Sequence, residues 1–225
     1  MRLSKLLLVL FILLSMSSYK VFAYDIAVEN SDGVTIYYNY INEGKELEVV
    51  SGSPYLYKNN IVVPEEVTFM NRTRKVTSIG MGAFISCKEL TSITIPNNVV
   101  YIGSSAFGSC SGLTSIVIPN SVKEIGECAF NGCTSLASIT LPDCLTIINA
   151  STFQYCKKLT SINIPTSVTE IKEYAFDSCS GLTSIIIPNS VKEIGECAFS
   201  QCTSLTSITL PDYLTVINRS SLLSR

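Results

Sequence analysis

A unit of 23 residues recurs through most of this 225-residue chain, and it constrains the fold more than any other feature of the sequence. Five positions of the unit, a Leu, a Pro, an Ile, a Phe and a Cys, keep their residue type in phase from copy to copy. The Phe and Cys positions are Phe84, Phe107, Phe130, Phe153, Phe176, Phe199, Cys87, Cys110, Cys133, Cys156, Cys179 and Cys202. One such unit is too short to bury its own apolar side chains, whereas stacked units share a continuous core. The repeat therefore predicts a solenoid.

Each unit divides into two extended stretches and a turn. In residues 113–118 the strand period of two places Ile116 and Ile118 on one face, and the stretch ends at Pro119, which cannot continue a strand ladder. Residues 122–125 provide a second short strand. Residues 129–133, with apolar side chains one and three positions apart, favour a single helical or 3₁₀ turn. We therefore expect three-sided coils that stack about 4.8 Å apart into parallel β-sheets.

Residues 24–66 lie outside the repeat. Segments 26–28 and 34–40 flank a turn rich in Asn, Asp and Gly, which predicts an antiparallel hairpin, and 47–50 is a further strand. A solenoid needs such a cap over the apolar end of its first coil. Three segments are thus predicted: a signal peptide at 1–23, a β cap with a lead-in strand at 24–66, and a solenoid of six full units plus a partial one at 67–225.

The first 23 residues follow the order of a secretory signal peptide. Arg2 and Lys5 precede an apolar run at 6–14, and Val21 and Ala23 provide a small-x-small cleavage pattern. We expect cleavage after Ala23 and export to the cell surface, the medium or the periplasm. The apolar run is about half the length of a membrane-spanning helix, so no transmembrane helix is expected.

Composition excludes several chemistries. The chain contains no His, which removes Ser-His-Asp and Cys-His catalysis and His-ligated zinc. Without residues 1–23, the chain has 13 basic and 18 acidic residues and no basic run, so nucleic acid is not an expected partner. No paired C-x-x-C knuckles occur. We predict no catalytic residue, no metal and no cofactor.

Nine cysteines in a chain expected to be exported raise the question of disulfides. The six repeat cysteines would stack one coil apart with parallel Cα–Cβ vectors, slightly beyond the Cβ separation of about 3.5–4.5 Å that a disulfide requires. Buried free thiols are the favoured interpretation, and disulfides are the alternative.

Carboxylates also recur at two positions of the unit. Stacked coils could bring two of them to the separation of about 5–5.5 Å used by retaining glycosidases. Because Lys123 and Lys192 adjoin these acids, a solvated side of mixed charge is the favoured interpretation. The carboxylates are Glu124, Glu170, Glu193, Glu127, Glu173 and Glu196.

The outward side of the first strand carries the candidate ligand-binding residues. One of its columns is Ser in every unit, and the position two residues later varies without becoming charged. An uncharged sheet of hydroxyls with occasional apolar side chains can bind a protein or a glycan through many weak contacts. The alternative is that small hydroxyl residues serve only lateral packing. We call this surface the strand face, with candidate residues Thr94, Val117, Thr140, Asn163, Ile186, Thr209, Ser115, Ser138, Ser161 and Ser184. By spacing alone, Asn71 would precede Thr94 in the variable column.

The pattern L-T-S-I-x-I-P-x-S-V-x-x-I-G-x-x-A-F-x-x-C, as it stands at 182–202, resembles the repeat of BspA-like leucine-rich-repeat surface proteins of the Bacteroidetes type. The resemblance implies a leucine-rich-repeat solenoid, placement outside the cell, and binding of macromolecules of a host or a neighbouring cell without catalysis or cofactor. The expected function is an adhesin-like module that binds an extracellular protein or glycan through the strand face.

The final unit stays in register as far as Leu222, which takes the Phe position, and residues 112–149 recur almost unchanged at 181–218. No polar cap follows this unit, so we expect end-to-end self-association through its apolar end, with fraying of about the last 20 residues as the alternative. The alternative function is that of a shortened, ligandless paralogue, kept as recombination stock or as a structural assembly subunit.

Overall fold

The computed structural model describes residues 24–52, 56–212 and 214–217. The predicted signal peptide at 1–23 and the position of Leu222 lie outside the described residues. The described chain contains 17 strands and a 3₁₀ turn at Asn42–Gly44. It is a solenoid of parallel β coils preceded by antiparallel strands, as the repeat predicts.

The chain begins with three paired strands, β1 (Ile26–Glu29), β2 (Thr35–Ile41) and β3 (Glu46–Val50). β1 and β3 both pair with β2 in the antiparallel sense, which confirms the predicted antiparallel cap. Ile36 and Tyr38 alternate with outward residues of β2, and both are buried against the first coil. The period of two therefore gives this sheet one apolar face that covers the solenoid core.

Three strands join the cap to the solenoid: β4 (Asn59–Val62), β5 (Glu66–Phe69) and β6 (Arg72–Ile79). β5 and β6 form a hairpin whose two turn residues, Met70 and Asn71, have φ of 49° and 59°. Left-handed conformation at both central residues is the type I′ geometry that matches strand twist. β6 also pairs in parallel with β3, so the cap continues directly into one side of the solenoid.

Two columns of short parallel strands form two sides of the coils. Where strands of successive repeats pair, the partners are 23 residues apart, as with Ile116 and Ile139. The first-strand side contains β4 together with β7 (Leu90–Thr94), β9 (Ser115–Val117), β11 (Ser138–Thr140), β14 (Ser184–Ile186) and β16 (Ser207–Thr209). The second-strand side contains β6 together with β8 (Tyr101–Ile102), β10 (Glu124–Ile125), β12 (Ile147–Ile148), β13 (Glu170–Ile171), β15 (Glu193–Ile194) and β17 (Val216–Ile217).

The third side of each coil, the turn side, is a series of tight turns. The N–H of Cys87 donates to Phe84 O within the coil at 3.1 Å, while the N–H of Phe84 donates to Ala106 O of the next coil at 2.8 Å. This alternation between bonds within one coil and bonds to the next coil recurs along the solenoid. Residues in the left-handed conformation lie one and five positions before the repeat cysteines. Examples are Ser105 and Ser109, with φ of 54° and 60°. The predicted helical or 3₁₀ turn is thus a series of successive i→i+3 turns that also bond to the neighbouring coil.

The phenylalanine column forms a continuous aromatic ladder in the core. All six rings are buried, and successive centroids lie 5.2–5.7 Å apart with interplanar angles of 3–18°. Tyr57 continues the ladder toward the cap, with its ring 4.8 Å from Phe84 at 51°. Each ring therefore contacts its counterparts in the adjacent coils, which couples the coils to one another.

The second-strand side is divided between β10 and β12. Gly126, the residue that follows β10, donates its backbone N–H to Ile102 O of the preceding coil at 2.8 Å. Asn149 occupies this position in the next coil, where its side-chain Nδ2 donates to Ile125 O at 2.7 Å. The ring separation at this level, between Phe130 and Phe153, is 5.7 Å, against 5.2–5.3 Å for the other phenylalanine pairs. Lys172 occupies the same position one coil later, and there the backbone N–H donates to Ile148 O at 2.9 Å. The looser joint at Asn149 therefore coincides with a side-chain amide that donates to the carbonyl oxygen of the preceding coil.

Candidate functional site

All ten strand-face residues predicted from the sequence are exposed on the first-strand side. In β9, Ser115 and Val117 point outward on either side of the buried Ile116, and β11 and β14 repeat the pattern. This arrangement follows from the pleat, because a buried apolar column on one face commits its neighbours to the other face. The structure thus brings the predicted residues together on one surface.

Two large apolar side chains stand out on the strand face. The side chains of Val117 and Ile186 are 66% and 70% exposed, although their inward neighbours Ile116 and Ile185 are buried. The two residues occupy the same position of the unit, three coils apart. Neither of the two strand-face columns contains a charged residue from Ser92 onward. The face is therefore a neutral, hydroxyl-rich surface with two apolar projections.

The expectation that Asn71 continues the variable column is wrong. Asn71 lies in the turn between β5 and β6, and Val62 of β4 is the residue opposite Thr94. Spacing placed Asn71 there because 71 and 94 are one period apart, but the β5–β6 hairpin occupies that stretch of chain. The strand face therefore begins at β4, where Asn60 Oδ1 accepts a hydrogen bond from Ser92 Oγ at 2.8 Å.

The first-strand side is not one continuous sheet. Residues 161–163 keep the exposed, buried, exposed alternation but form no strand. On this side the strands form three two-stranded sheets, β4 with β7, β9 with β11, and β14 with β16. The candidate residues Ser161 and Asn163 thus lie in an extended segment that separates the last two of these sheets.

The six repeat cysteines are buried thiols that form no disulfide, in agreement with the favoured interpretation. Cys110 Sγ donates a hydrogen bond to Phe84 O at 3.0 Å, and the next four repeat cysteines make the same bond 26 residues back at 3.1–3.3 Å. A thiol fits here because it is a small apolar group that can still donate to a buried carbonyl oxygen. The column therefore contributes to coil stacking.

Thiol labelling tests this assignment. The thiols accessible to a reagent are those of the exposed Cys144 and the half-buried Cys128 and Cys197. Burial raises the pKa of Cys133 and Cys202 to about 12, which disfavours the reactive thiolate. Without reductant at pH 8, an aromatic disulfide reagent should react rapidly with three thiols of the folded protein and with nine after denaturation. Fewer than seven thiols in denaturant would contradict the assignment.

The carboxylate columns lie on the second-strand side, where Glu170 of β13 is opposite Glu193 of β15. Lys172 forms an ion pair with Glu170, and this hydrogen bond raises the pKa of Lys172. Ile147 occupies the position between Glu124 and Glu170, so the column is discontinuous. These contacts fit a solvated surface of mixed charge.

Within the described ranges, no group of three or more Cys, Asp and Glu side chains is placed to hold a metal ion. No helix in the same part of the chain is long and apolar enough to cross a bilayer.

A cavity of about 300 Å³ lies between the cap hairpin and β5, with Val28, Glu29, Tyr38 and Val67 among its lining residues. Asn30 Nδ2 donates to Val62 O at 3.0 Å and so links the cap hairpin to β4, the strand that precedes β5. Sequence analysis did not anticipate this cavity, because its walls come from segments that only tertiary pairing brings together.

The match to a known protein family covers the repeat region of the chain. A family model described as the BspA type leucine-rich-repeat region matches residues 60–182 and 169–224. Among curated proteins, none matches this chain.

Several solved structures are similar. A leucine-rich-repeat protein of T. pallidum is 29% identical, with a TM-score of 0.72, over 79% of this chain and 80% of that chain. A leucine-rich cell surface protein of Faecalibacterium prausnitzii is 30% identical, with a TM-score of 0.60, over 83% of this chain and 55% of that chain. A leucine-rich-repeat protein of Eubacterium ventriosum shares the fold at 23% identity, with a TM-score of 0.70, over 87% of this chain and 49% of that chain.

Proteins built from such repeats are generally interaction modules without catalytic activity, and those of the BspA type are typically exported or located at the cell surface. The repeat columns, the parallel coils and the matched residues 60–224 agree with one another. This chain belongs to the BspA-type leucine-rich-repeat family.

Proposed function

We propose that this protein is an exported, adhesin-like interaction module that binds an extracellular protein through its strand face. The observation that carries the proposal is the exposure of Val117 and Ile186 on an otherwise hydroxyl-lined, uncharged surface. Charged residues are depleted, and apolar residues enriched, at the cores of protein interfaces. The same surface could bind a glycan through its hydroxyl columns, and the experiment below separates the two ligand classes.

The scaffold behind this face supports binding by many weak contacts. Backbone N–H groups of Thr114, Lys123 and Phe107 donate to an adjacent coil on the three sides, at 3.2, 2.9 and 2.8 Å. These bonds hold the coils in register behind the strand face. A broad, rigid surface of this kind loses little conformational entropy when it binds.

The proposal includes export of this protein from the cell. The segment at 1–23 would act as the signal peptide, with the cap at 24–66 and the solenoid at 67–225 forming the mature protein. Surface placement is typical of the family, and it would bring the strand face into contact with matrix or neighbouring-cell proteins.

Binding of the exported chain to immobilised matrix proteins and to mucin glycans tests the proposal. Saturable binding is expected for the native chain, and the double variant Val117→Lys/Ile186→Lys should weaken it by about tenfold or more. The reason is that each lysine would bring an unpaired charge into the desolvated centre of the interface.

Met70→Lys is the matched control, since Met70 is 81% exposed in the β5–β6 turn, away from the strand face. It should bind as the native chain does. Binding that both variants retain, or that both lose equally, would contradict a role for the strand face. Binding to glycans alone would assign the face to a carbohydrate instead of a protein.

A further inference from the structure

We propose that the free edge of β1 binds an extended, basic segment of a partner protein, which adds to the sheet of β1, β2 and β3 as a further β-strand. This site is separate from the strand face, and it goes beyond the proposed function. Three features of the cap support it: an unpaired strand edge, the cavity beside that edge, and an excess of negative charge around both.

In the part of the chain that the structure describes, β1 is the end strand of its sheet and pairs only with β2. The N–H of Asn30 donates to Val34 O at 2.8 Å, which makes these residues a hydrogen-bonded pair at the end of the β1–β2 ladder. Such pairs alternate along an antiparallel ladder, so the N–H and C=O groups of Ala27 and Glu29 point away from β2. They have no backbone partner among the described residues.

The sequence of β1 leaves this edge open to another chain. Lysine and proline commonly protect an edge strand from pairing. β1 reads Ile-Ala-Val-Glu and contains neither. An extended peptide would therefore find free backbone donors and acceptors at Ala27 and Glu29, two residues apart, which is the spacing of its own donors and acceptors along one edge.

The cavity between the cap hairpin and β5 lies beside this edge, since Val28 and Glu29 are among its lining residues. In an added strand, the residue opposite Val28 would point to the same face of the sheet as Val28 does. Its side chain would enter the cavity, where Val62 and Val67 provide further apolar walls. The volume of about 300 Å³ is sufficient for one aliphatic side chain, because a cavity of about 150 Å³ can hold benzene.

Negative charge surrounds the edge and the cavity. Segment 24–41, which forms the cap hairpin, contains Asp25, Glu29 and Asp32 but no Lys or Arg. The charged residues that line the cavity are Glu29 and Glu66, both exposed. Among the described residues neither forms an ion pair, although Lys75 lies opposite Glu66 in the β5–β6 hairpin. Lys or Arg is therefore the residue type favoured opposite Glu29 in an added strand.

These positions define the ligand as an extended segment in which basic and aliphatic residues alternate. The aliphatic side chain opposite Val28 enters the cavity, and its basic neighbour pairs with Glu29 on the other face of the sheet. Backbone hydrogen bonds to the β1 edge provide affinity, and the cavity with the carboxylates provides specificity. Since the carboxylates are exposed, binding should weaken as the salt concentration rises.

Titration calorimetry of the exported chain with the peptide acetyl-Lys-Val-Lys-Val-Lys-Val-Lys-amide tests the inference. Saturable binding is expected for the native chain. The double variant Glu29→Lys/Glu66→Lys should weaken it by about tenfold or more, because like charges then face each other. Glu124→Lys/Asp143→Lys is the matched control, since it makes the same change of charge at two exposed solenoid residues and should bind within about twofold of the native chain.

Ala27→Pro separates strand addition from attraction by charge. The N–H of Ala27 points away from β2, so proline removes no hydrogen bond of the cap, but it removes a donor to the added strand and obstructs the edge. The variant should unfold at a temperature close to that of the native chain and bind the peptide at least about tenfold more weakly. Ala27→Val keeps the N–H and should bind as the native chain does.

A modified peptide gives a second test that does not depend on the folding of a variant. With valines in the cavity and antiparallel pairing, the more stable sense, the lysine N–H groups of the peptide bond to β1. N-methylation of the lysines should therefore abolish binding, whereas N-methylation of the valines should preserve it.

Lack of binding to the native chain would overturn the inference. So would equal binding by Ala27→Pro and the native chain, or equal losses for the two charge variants. The strand-face variant Val117→Lys/Ile186→Lys should bind the peptide as the native chain does, because its substitutions lie on the first-strand side of the solenoid. Failure of this proposal is thus distinguishable from failure of the proposed function.

Discussion

Replacement of Phe130 by Ala is expected to lower the free energy of unfolding by about 3–5 kcal/mol. The ring is fully buried in the middle of the aromatic ladder, 5.2 Å from Phe107 and 5.7 Å from Phe153. The cost of such a cavity depends on how far its walls can collapse. Here they are held apart, because backbone hydrogen bonds join the Phe130 coil to the Phe107 coil on three sides and to the Phe153 coil on the first-strand side and the turn side.

Urea-induced unfolding followed by circular dichroism measures this effect. Phe130→Leu is the control, since it keeps most of the side-chain volume and should cost less than about 1.5 kcal/mol. A loss below about 1 kcal/mol for the Ala variant would show that the coils close over the gap, which contradicts a spacing set by the backbone.

Replacement of Gly126 by Ala is expected to lower the free energy of unfolding by about 1–3 kcal/mol. A Cβ at this position would lie 2.5 Å from Ser104 N and 2.9 Å from Ser104 Cα, both backbone atoms of the preceding coil. Relief of that clash requires the coils to separate, and the hydrogen bond from the Gly126 N–H to the preceding coil would lengthen. The expected structure resembles the joint at Asn149, where the second-strand ladder is interrupted.

Lys172→Ala is the matched control for the glycine substitution. Lys172 occupies the same position of the repeat and already has a Cβ, so its truncation should change the free energy of unfolding by only about 0.5 kcal/mol. Equal losses for the two variants would show that the close approach at Gly126 is not what limits the packing of adjacent coils.

The strand face shows which side-chain positions the sequence alone can predict. Period-2 alternation alone predicts that Ser115, Val117 and Ile186 share one exposed surface, and the structure places them there. The 23-residue period predicts Asn71 on the same surface, and this prediction is wrong because the β5–β6 hairpin interrupts the register. The 23-residue period predicts the position of a residue correctly where one repeat stacks on another. It fails at the first coil, because the neighbouring segment there is not a repeat.

The β5–β6 hairpin itself had a weak sequence signal. Its turn residues Met70 and Asn71 both adopt left-handed conformations, a geometry usually marked by Asn-Gly or Gly-Gly. Tyr57, which extends the aromatic ladder, was also missed, since it lies outside the repeat and only the path of the chain brings its ring to Phe84.

The sequence by itself determined the solenoid, its parallel coils, the inward columns and the antiparallel strands that precede them. It could do so because a 23-residue unit must stack to bury its apolar residues, and strand alternation then assigns every side chain to one face. The tertiary structure alone decided how the cap joins the second-strand side, why cysteine suits its column, and where the ladder loosens at Asn149. These features depend on contacts between atoms of adjacent coils, such as a thiol on a phenylalanine carbonyl oxygen or an amide in place of a glycine. Such contacts are distances of a few ångströms, and no pattern of residue types within one repeat encodes them.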